Sequence, residues 1–484
     1  MSWADVYPWR APDRAGPVVR QIYGQVRGAI VEGALGAGAR LPSSRDLAGR
    51  LGVARASVVS AYEQLVAEGY VQTRRGAGAF VAADIAGVLD LRPPPRAKAA
   101  VARPAPAPVV EQSPPPPLPV EATFNTGRTL MDARALAAWK RATRRALSHL
   151  GPEHFGYAEA AGHPALRASI ADYLRAARGV VCEASQVVVT AGAQQAIDIA
   201  ARVLIGPGAP VWVEDPAYPT TVRALTAAGA APKPIPVDSE GLIVAEGVAR
   251  APAALAAYVT ASHQYPLGVT LSMGRRLELL AWARAAGAWV IEDDYASEFR
   301  YDGPPLATLQ GLDGGERVLY VGTFNKAVFP GLRLGYLVAP KSLIAALHDA
   351  RQLLDRQPPS LTQAIMLEFM QGGDFAAHVR RRRLAYLAQR DALAEALRAH
   401  CGAWLEPDPP GQGMHMIAYL KAGSSDLAAA SAAAAAGVIA TAISPLYLEA
   451  APRQGLMLGF SGYPASAMAP AARRLAAALA TLAA

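Results

Sequence analysis

The chain has 484 residues, 52% of them hydrophobic and 18% charged. It is too long for one ordinary domain and too apolar for global disorder, so about two to four packed domains are expected. Forty-seven basic residues against 39 acidic ones leave a formal charge of +8, which invites an anionic partner without naming it.

Two cysteines, Cys182 and Cys401, cannot build a disulfide framework or a zinc knuckle and read as buried thiols, so no metal site is expected. The N-terminus carries Asp5, Pro8, Pro12 and Asp13 and lacks a signal-peptide core. The most membrane-like stretch, Leu427 to Leu446, is mostly alanine and is interrupted by Ser431, Gly437 and Pro445. Alanine supplies little insertion energy, so a soluble helix and strand are predicted there. A cytoplasmic protein is expected.

Val18, Ile22, Val26 and Ile30 recur at helical spacing before Gly33, which predicts an amphipathic helix over 17–33. Ser43 or Ser44 can cap a second helix running to Leu51, and Gly52 makes a tight turn. A third helix follows from about Ala54, with Val58, Tyr62 and Leu65 on one face. Two short helices about a glycine turn form a helix-turn-helix. Arg55 and Ser57 stand near the start of its second helix, where a recognition helix meets base edges. Residues 70–73 and 79–81 then flank Arg74, Arg75 and Gly76, a hairpin with a basic glycine tip. Its arginines suit phosphate contact or minor-groove insertion. The bland alternative is a small helical domain with a solvated basic face.

In this order the elements resemble the GntR family of winged-helix regulators, whose pattern is matched nearly throughout residues 41–69. The resemblance implies DNA contacts at Ser44, Arg45, Arg55, Ser57 and the wing residues Arg74, Arg75 and Gly76. Ala56 departs from the family, which often has a polar residue there.

Residues 93–119 hold eleven prolines, a composition that favours polyproline II and forms no packed core. The segment 84–120 therefore reads as a linker able to span up to ~100 Å at ~3.1 Å per residue. A passive spacer and a docking site for an SH3-like partner are the alternatives.

Beyond it, short β-branched runs alternate with helical segments: residues 187–190, 211–213, 258–260, 289–291 and 318–321. This is the pattern of an α/β domain with a mostly parallel sheet, whose ligands sit at the carboxyl ends of its strands. Six lysines occur in the whole chain, and of these Lys326 alone directly follows a strand run. A lysine among apolar neighbours has a depressed pKa and becomes nucleophilic toward a carbonyl, although a structural or phosphate-binding role is the alternative. Asp293 and Tyr295 lie two apart at another strand end and so face the same side. A carboxylate there can keep a pyridine nitrogen protonated, and a phenol can bond the ring's 3-hydroxyl; capping a helix or holding a cation is the alternative. Gly192 ends a strand where a helix begins, so the N–H groups of Ala193 and Gln194 can meet a phosphate.

Together these residues resemble fold-type I pyridoxal-phosphate enzymes of the aminotransferase class, over roughly residues 122–480. The resemblance implies pyridoxal 5'-phosphate as cofactor, with Lys326 as the catalytic Schiff-base lysine and Arg333 and Thr323 on the phosphate. It assigns Asp293 to the pyridine nitrogen, Tyr295 to the 3-hydroxyl and Tyr218 to stacking on the ring. Tyr157 matches a tyrosine that reaches the partner subunit's phosphate, which implies a homodimer with shared sites.

A GntR-type winged helix joined by a long linker to such a domain resembles the MocR subfamily of bacterial transcription regulators. The implied organisation is a winged helix at 1–83, a linker at 84–120 and a cofactor-binding, effector-sensing, dimerising domain at 121–484. Operator DNA and a small amine, amino acid or B6 vitamer are the implied partners, with each winged helix able to sit over the partner subunit. A working aminotransferase with a DNA-binding appendage is the rival reading, and a domain that has lost the cofactor and only dimerises is a third. Three departures from the aminotransferase pattern stand out, of which Tyr265 and Met457 bear on the choice and Asn325 has no functional reading. Tyr265 stands where aminotransferases place an asparagine, Asn325 where they have serine, and Met457 where an arginine forks onto the substrate carboxylate. Methionine cannot make that pair, so net turnover of ordinary α-amino acids is not expected.

The charge now has an address. Residues 1–83 hold ten arginines and six acids, a surplus of +4, against +1 for the linker and +3 for the remaining 364 residues. DNA at the winged helix is the expected anionic partner.

Overall fold

The computed structural model describes residues 7–13, 17–74, 77–83, 123–302, 306–421, 423 and 425–482. Arg75, Gly76 and the whole proline-rich segment 84–120 lie outside the described residues. The chain divides into two units, Met1–Ser113 and Pro114–Ala484.

In the first unit, α1 (Val18–Val31), α2 (Ser44–Leu51) and α3 (Arg55–Ala67) precede a hairpin of β1 (Val71–Arg74) and β2 (Gly78–Val81). Ser43 is the cap of α2: its hydroxyl accepts the N–H of Asp46 at 3.1 Å. The turn to α3 falls at Gly52, whose φ of 67° is the left-handed region that glycine enters without steric cost. Ile22, Val26, Leu47, Val58, Leu65 and Val71 are buried together, so each helix contributes one apolar stripe to a single core. The hairpin pairs Val71 with Val81 and Arg74 with Gly78. This is the three-helix-plus-hairpin arrangement of a winged helix.

The second unit is built on an eight-stranded sheet in the order β3-β10-β9-β8-β7-β4-β5-β6. Its strands are β3 (Val187–Thr190), β4 (Pro210–Asp215), β5 (Ala231–Asp238), β6 (Gly241–Leu242), β7 (Ala256–Val259), β8 (Trp289–Asp294), β9 (Val318–Thr323) and β10 (Gly335–Val338). β4, β5, β7, β8 and β9 run parallel. β10 runs against β3 and β9, and β6 against β5. β3, β7, β9 and β10 are buried along their whole length, as expected of strands covered on both faces. A four-stranded antiparallel sheet follows, β11 (Leu405–Asp408), β12 (His415–Leu420), β14 (Gly455–Gly459) and β13 (Thr441–Ala442) in that order. The 28-residue helix Asp374–Cys401 joins the two sheets: Phe375 packs in the core of the large sheet, and Leu393 and Leu397 pack under the small one. The alanine-rich stretch forms the helix Asp426–Ala435 and the short strand β13. No helix among the described residues is long and apolar enough to cross a membrane.

The carboxyl end of β8 is anchored from behind. The Asp294 carboxylate accepts Nε and Nη2 of Arg178 at 3.1 and 2.8 Å, the Ser297 hydroxyl at 2.7 Å, and the hydroxyl of Tyr320 on β9. Both members of the ion pair are almost fully buried. Removing one partner of such a pair leaves a charge stranded in low dielectric. Asp294→Ala is therefore expected to destabilise the second unit by about 3–5 kcal/mol, read as an earlier urea unfolding midpoint with an unchanged slope.

Candidate functional site

Strand alternation sends neighbouring acids of β8 to opposite sides. Asp294 turns back to Arg178, while Asp293 turns into a cavity of about 330 Å³ at the carboxyl ends of the parallel strands. One oxygen of Asp293 accepts the hydroxyl of Tyr258 at 2.6 Å, and the other is buried with no partner. Burial raises the Asp293 pKa to about 6; the Tyr258 hydrogen bond opposes that rise and the neighbouring Asp294 adds to it. A buried carboxylate with one satisfied and one open oxygen is set to receive a cationic N–H donor. Tyr295, on the same side, keeps its buried hydroxyl without a partner. Burial pushes that phenol well above its ordinary pKa, so it stays protonated and available as a donor.

Lys326 sits in the single-turn helix Phe324–Ala327 directly after β9 and lines the same cavity. Burial lowers its pKa, because removing the ammonium from water disfavours the charged form. The free amine that attacks a carbonyl is thereby favoured. Thr323 caps this turn: its hydroxyl accepts the N–H of Asn325 at 3.2 Å. Asn325 in turn accepts the N–H of Leu334 at 3.0 Å, tying the lysine turn to the start of β10. The asparagine at the family's serine position thus has a structural job.

Beside the lysine turn, Gly192 (φ 105°) opens the helix Ala193–Leu204. A Cβ on Gly192 would lie 2.7 Å from Asn325 Nδ2 and 3.8 Å from an Nη of Arg333. Only glycine fits there, and the backbone N–H groups of Ala193 and Gln194 stay open to the cavity they line. Arg333 follows a 3₁₀ turn in the left-handed region, φ 50°, and also lines the cavity. Helix N-terminus, threonine, asparagine and arginine together make a cradle for a phosphate dianion.

Tyr218 enters at the mouth, 41% exposed, with its ring edge-on to Tyr265 at 5.0 Å. Tyr157 lies elsewhere: it is 79% exposed, carries the Arg356 guanidinium 3.7 Å from its ring centroid, and does not line its own chain's cavity. Met457 is buried in an apolar cluster with Ile417, Ile443 and Leu446, against which Tyr265 packs. Tyr258, Thr126 and His415 are among the lining residues that went unassigned in the sequence. Tyr258 begins one of the recognised strand-end runs and could have been found by the rule that located Asp293. His415 bonds the carbonyl of Pro266 through Nε2 at 3.0 Å, and burial above all holds its pKa down to about 4.

In the first unit, Arg45, Arg55 and Arg74 are exposed, and Ser57 is half-buried. Arg55 donates from Nε to the Ser44 hydroxyl at 3.2 Å, which joins the starts of α2 and α3. Arg74 lies over the Phe80 ring at 4.8 Å.

The open oxygen of Asp293, the open hydroxyl of Tyr295, the desolvated Lys326 and the glycine-lined cradle fit a phosphorylated pyridine aldehyde. Asp293→Ala is expected to weaken pyridoxal-phosphate binding by about 2–5 kcal/mol, the usual result of truncating one side of a buried charge pair. Far-UV circular dichroism should stay unchanged, and a fluorescence titration of the cofactor-free protein measures the loss.

Comparison with known proteins agrees with both units. Residues 18–81 match the family of bacterial regulatory proteins of gntR type, and residues 123–475 match aminotransferase class I and II. The probable rhizopine catabolism regulatory protein MocR of Rhizobium meliloti is 35% identical over 92% of this chain and 90% of its own. The pyridoxine biosynthesis transcriptional regulator PdxR of Corynebacterium glutamicum is 33% identical over 93% of this chain and 94% of its own. Among solved structures, an archaeal alanine:glyoxylate aminotransferase superposes with a TM-score of 0.68 at 28% identity, covering 74% of this chain and 90% of that one. The cofactor of the second unit is pyridoxal 5'-phosphate, and the first unit binds DNA. The chain belongs to the MocR subfamily of GntR-type transcription regulators, a winged helix joined to an aminotransferase-like domain.

Proposed function

We propose that this regulator reads an operator with residues 1–83, spans to its partner with the proline-rich linker 84–120, and senses a small amine, amino acid or B6 vitamer with residues 121–484. The observation that carries the sensing role is the buried, half-satisfied Asp293 in the same cavity as Lys326. A B6 vitamer as signal is supported by the relative whose printed role is regulation of pyridoxine biosynthesis.

Lys326 would hold the cofactor through its carbonyl carbon. Asp293 keeps the ring nitrogen protonated, and Tyr295 donates to the ring's 3-oxygen. Ala193, Gln194, Thr323 and Arg333 hold the phosphate, and Tyr218 covers the ring. When bound, pyridoxal phosphate would supply a carbonyl carbon reactive toward amines. Net transamination is not part of the reading, because Met457 offers no partner for an α-carboxylate.

The protein acts as a homodimer with exchanged winged helices. Exposed Tyr157, outside its own cavity, supports a role at the partner's phosphate. Ser44, Arg45, Arg55, Ser57, Arg74, Arg75 and Gly76 are the DNA-contacting residues in this reading. We place the protein in the cytoplasm. By linkage, an effector shifts the dimer between arrangements only to the extent that it binds them with different affinity.

Arg55→Ala is expected to weaken operator binding by about 1–3 kcal/mol and to relax sequence preference at one base pair. The cofactor's visible spectrum should be unchanged. Electrophoretic mobility shifts at fixed salt measure this, and unchanged DNA affinity would remove α3 from the groove.

A further inference from the structure

The wall of the cofactor cavity formed by the small sheet carries no positive charge. Side chains two apart on a strand share a face. His415 on β12 lines the cavity, so Ile417 and its register partner Met457 on β14 lie on that same side. Their neighbours Met416, Leu456 and Leu458 turn into the opposite core. Met457 is 1% exposed and packs with Ile417, Ile443 and Leu446 behind Tyr265, which is itself part of the cavity wall.

Among the described residues, the cationic side chains that line the cavity are Lys326 and Arg333. Lys326 is committed to the cofactor's carbonyl. Arg333 lies beside Gly192, on the phosphate side. The arginines next to this wall do not line the cavity: Arg453 lies over the Tyr419 ring, 3.6 Å from its centroid, and Arg128 over that of Tyr463 at 4.9 Å. A ligand carboxylate placed here would lose its water without gaining a cation from the described residues of this chain, which is strongly unfavourable. Uncharged groups meet no such penalty. Thr126, Tyr218, Tyr265 and His415 offer neutral donors and acceptors between apolar surfaces.

We propose that the effector is a primary amine bearing no carboxylate, selected by an uncharged cavity wall in which Tyr265 is backed by Met457 and Ile417. This rests on the reading that the cofactor cavity is the sensing site. The cofactor-loaded protein is titrated by calorimetry with matched pairs: phenylalanine against 2-phenylethylamine, and 4-aminobutyrate against butylamine. In each pair the amine is expected to bind about tenfold or more tightly than its acid-bearing counterpart, the discrimination that an unpaired polar group typically imposes. Met457→Arg is expected to reverse the order, with the cofactor's visible band reporting that the variant retains its fold. Met457→Gln, uncharged and of similar length, is expected to keep the preference for the amine. Equal affinities, or a preference for the amino acid in the unmodified protein, overturn the proposal. Absence of binding by all four ligands in a protein that keeps its cofactor overturns this inference, and the sensing reading falls with it only if B6 vitamers also leave operator affinity unchanged.

Discussion

The second unit is organised around a carboxylate that water cannot reach. Burying an unpaired carboxylate is so costly that such a group neutralises or finds a cation. Asp293 has done neither completely: the Tyr258 hydroxyl satisfies one oxygen and nothing satisfies the other. Burial raises its pKa, and a protonated ring nitrogen offsets the cost of keeping it charged. Lys326 has the complementary problem, since burial alone lowers its pKa. One group waits for a cation and the other for a carbonyl, and pyridoxal phosphate brings both.

Holding such groups without collapse needs a stiff frame. The frame is the parallel sheet, closed on its far side by the Arg178–Asp294 pair and the Tyr320 hydroxyl. The same β8 backbone therefore serves two purposes one residue apart. The glycines at the phosphate end show how little slack remains. A Cβ on Gly335 would lie 2.7 Å from the Gly192 Cα, and one on Gly322 would fall within the Tyr336 ring's contact distance at 2.3 Å. Packing this tight transmits displacement rather than absorbing it, which suits a domain whose output lies in another unit.

Much of this is legible in the sequence because local rules decide it. A serine cap at position 43 or 44, the turn at Gly52 and the apolar stripe of α3 specify the winged helix by short-range chemistry. Strand alternation places Asp293 and Tyr295 together, and the strand-then-lysine order singles out Lys326. What the sequence hides is long-range. His415 reaches the cavity from a separate sheet some way down the chain, and no periodicity near Lys326 announces it. Tyr258 was one strand away, yet its bond to Asp293 depends on the spatial order β7-β8, which the chain order does not reveal. The job of Asn325 likewise becomes clear only when Leu334 of the next strand folds back to meet it. Met457 reads in sequence as a missing arginine, and in the fold as an apolar wall behind Tyr265.

The central claim is that the cofactor cavity and the DNA-reading surface share one equilibrium. Thermodynamic linkage makes that claim symmetrical: whatever factor the cofactor-bound ligand applies to operator affinity, the operator must apply to ligand affinity. The most direct test measures operator affinity of the cofactor-loaded protein with and without a saturating amine, and amine affinity with and without operator, at one salt concentration. The account predicts a change in both, by the same factor, that disappears in Lys326→Ala. Operator affinity that ignores the amine, in a protein shown to bind both, would contradict it.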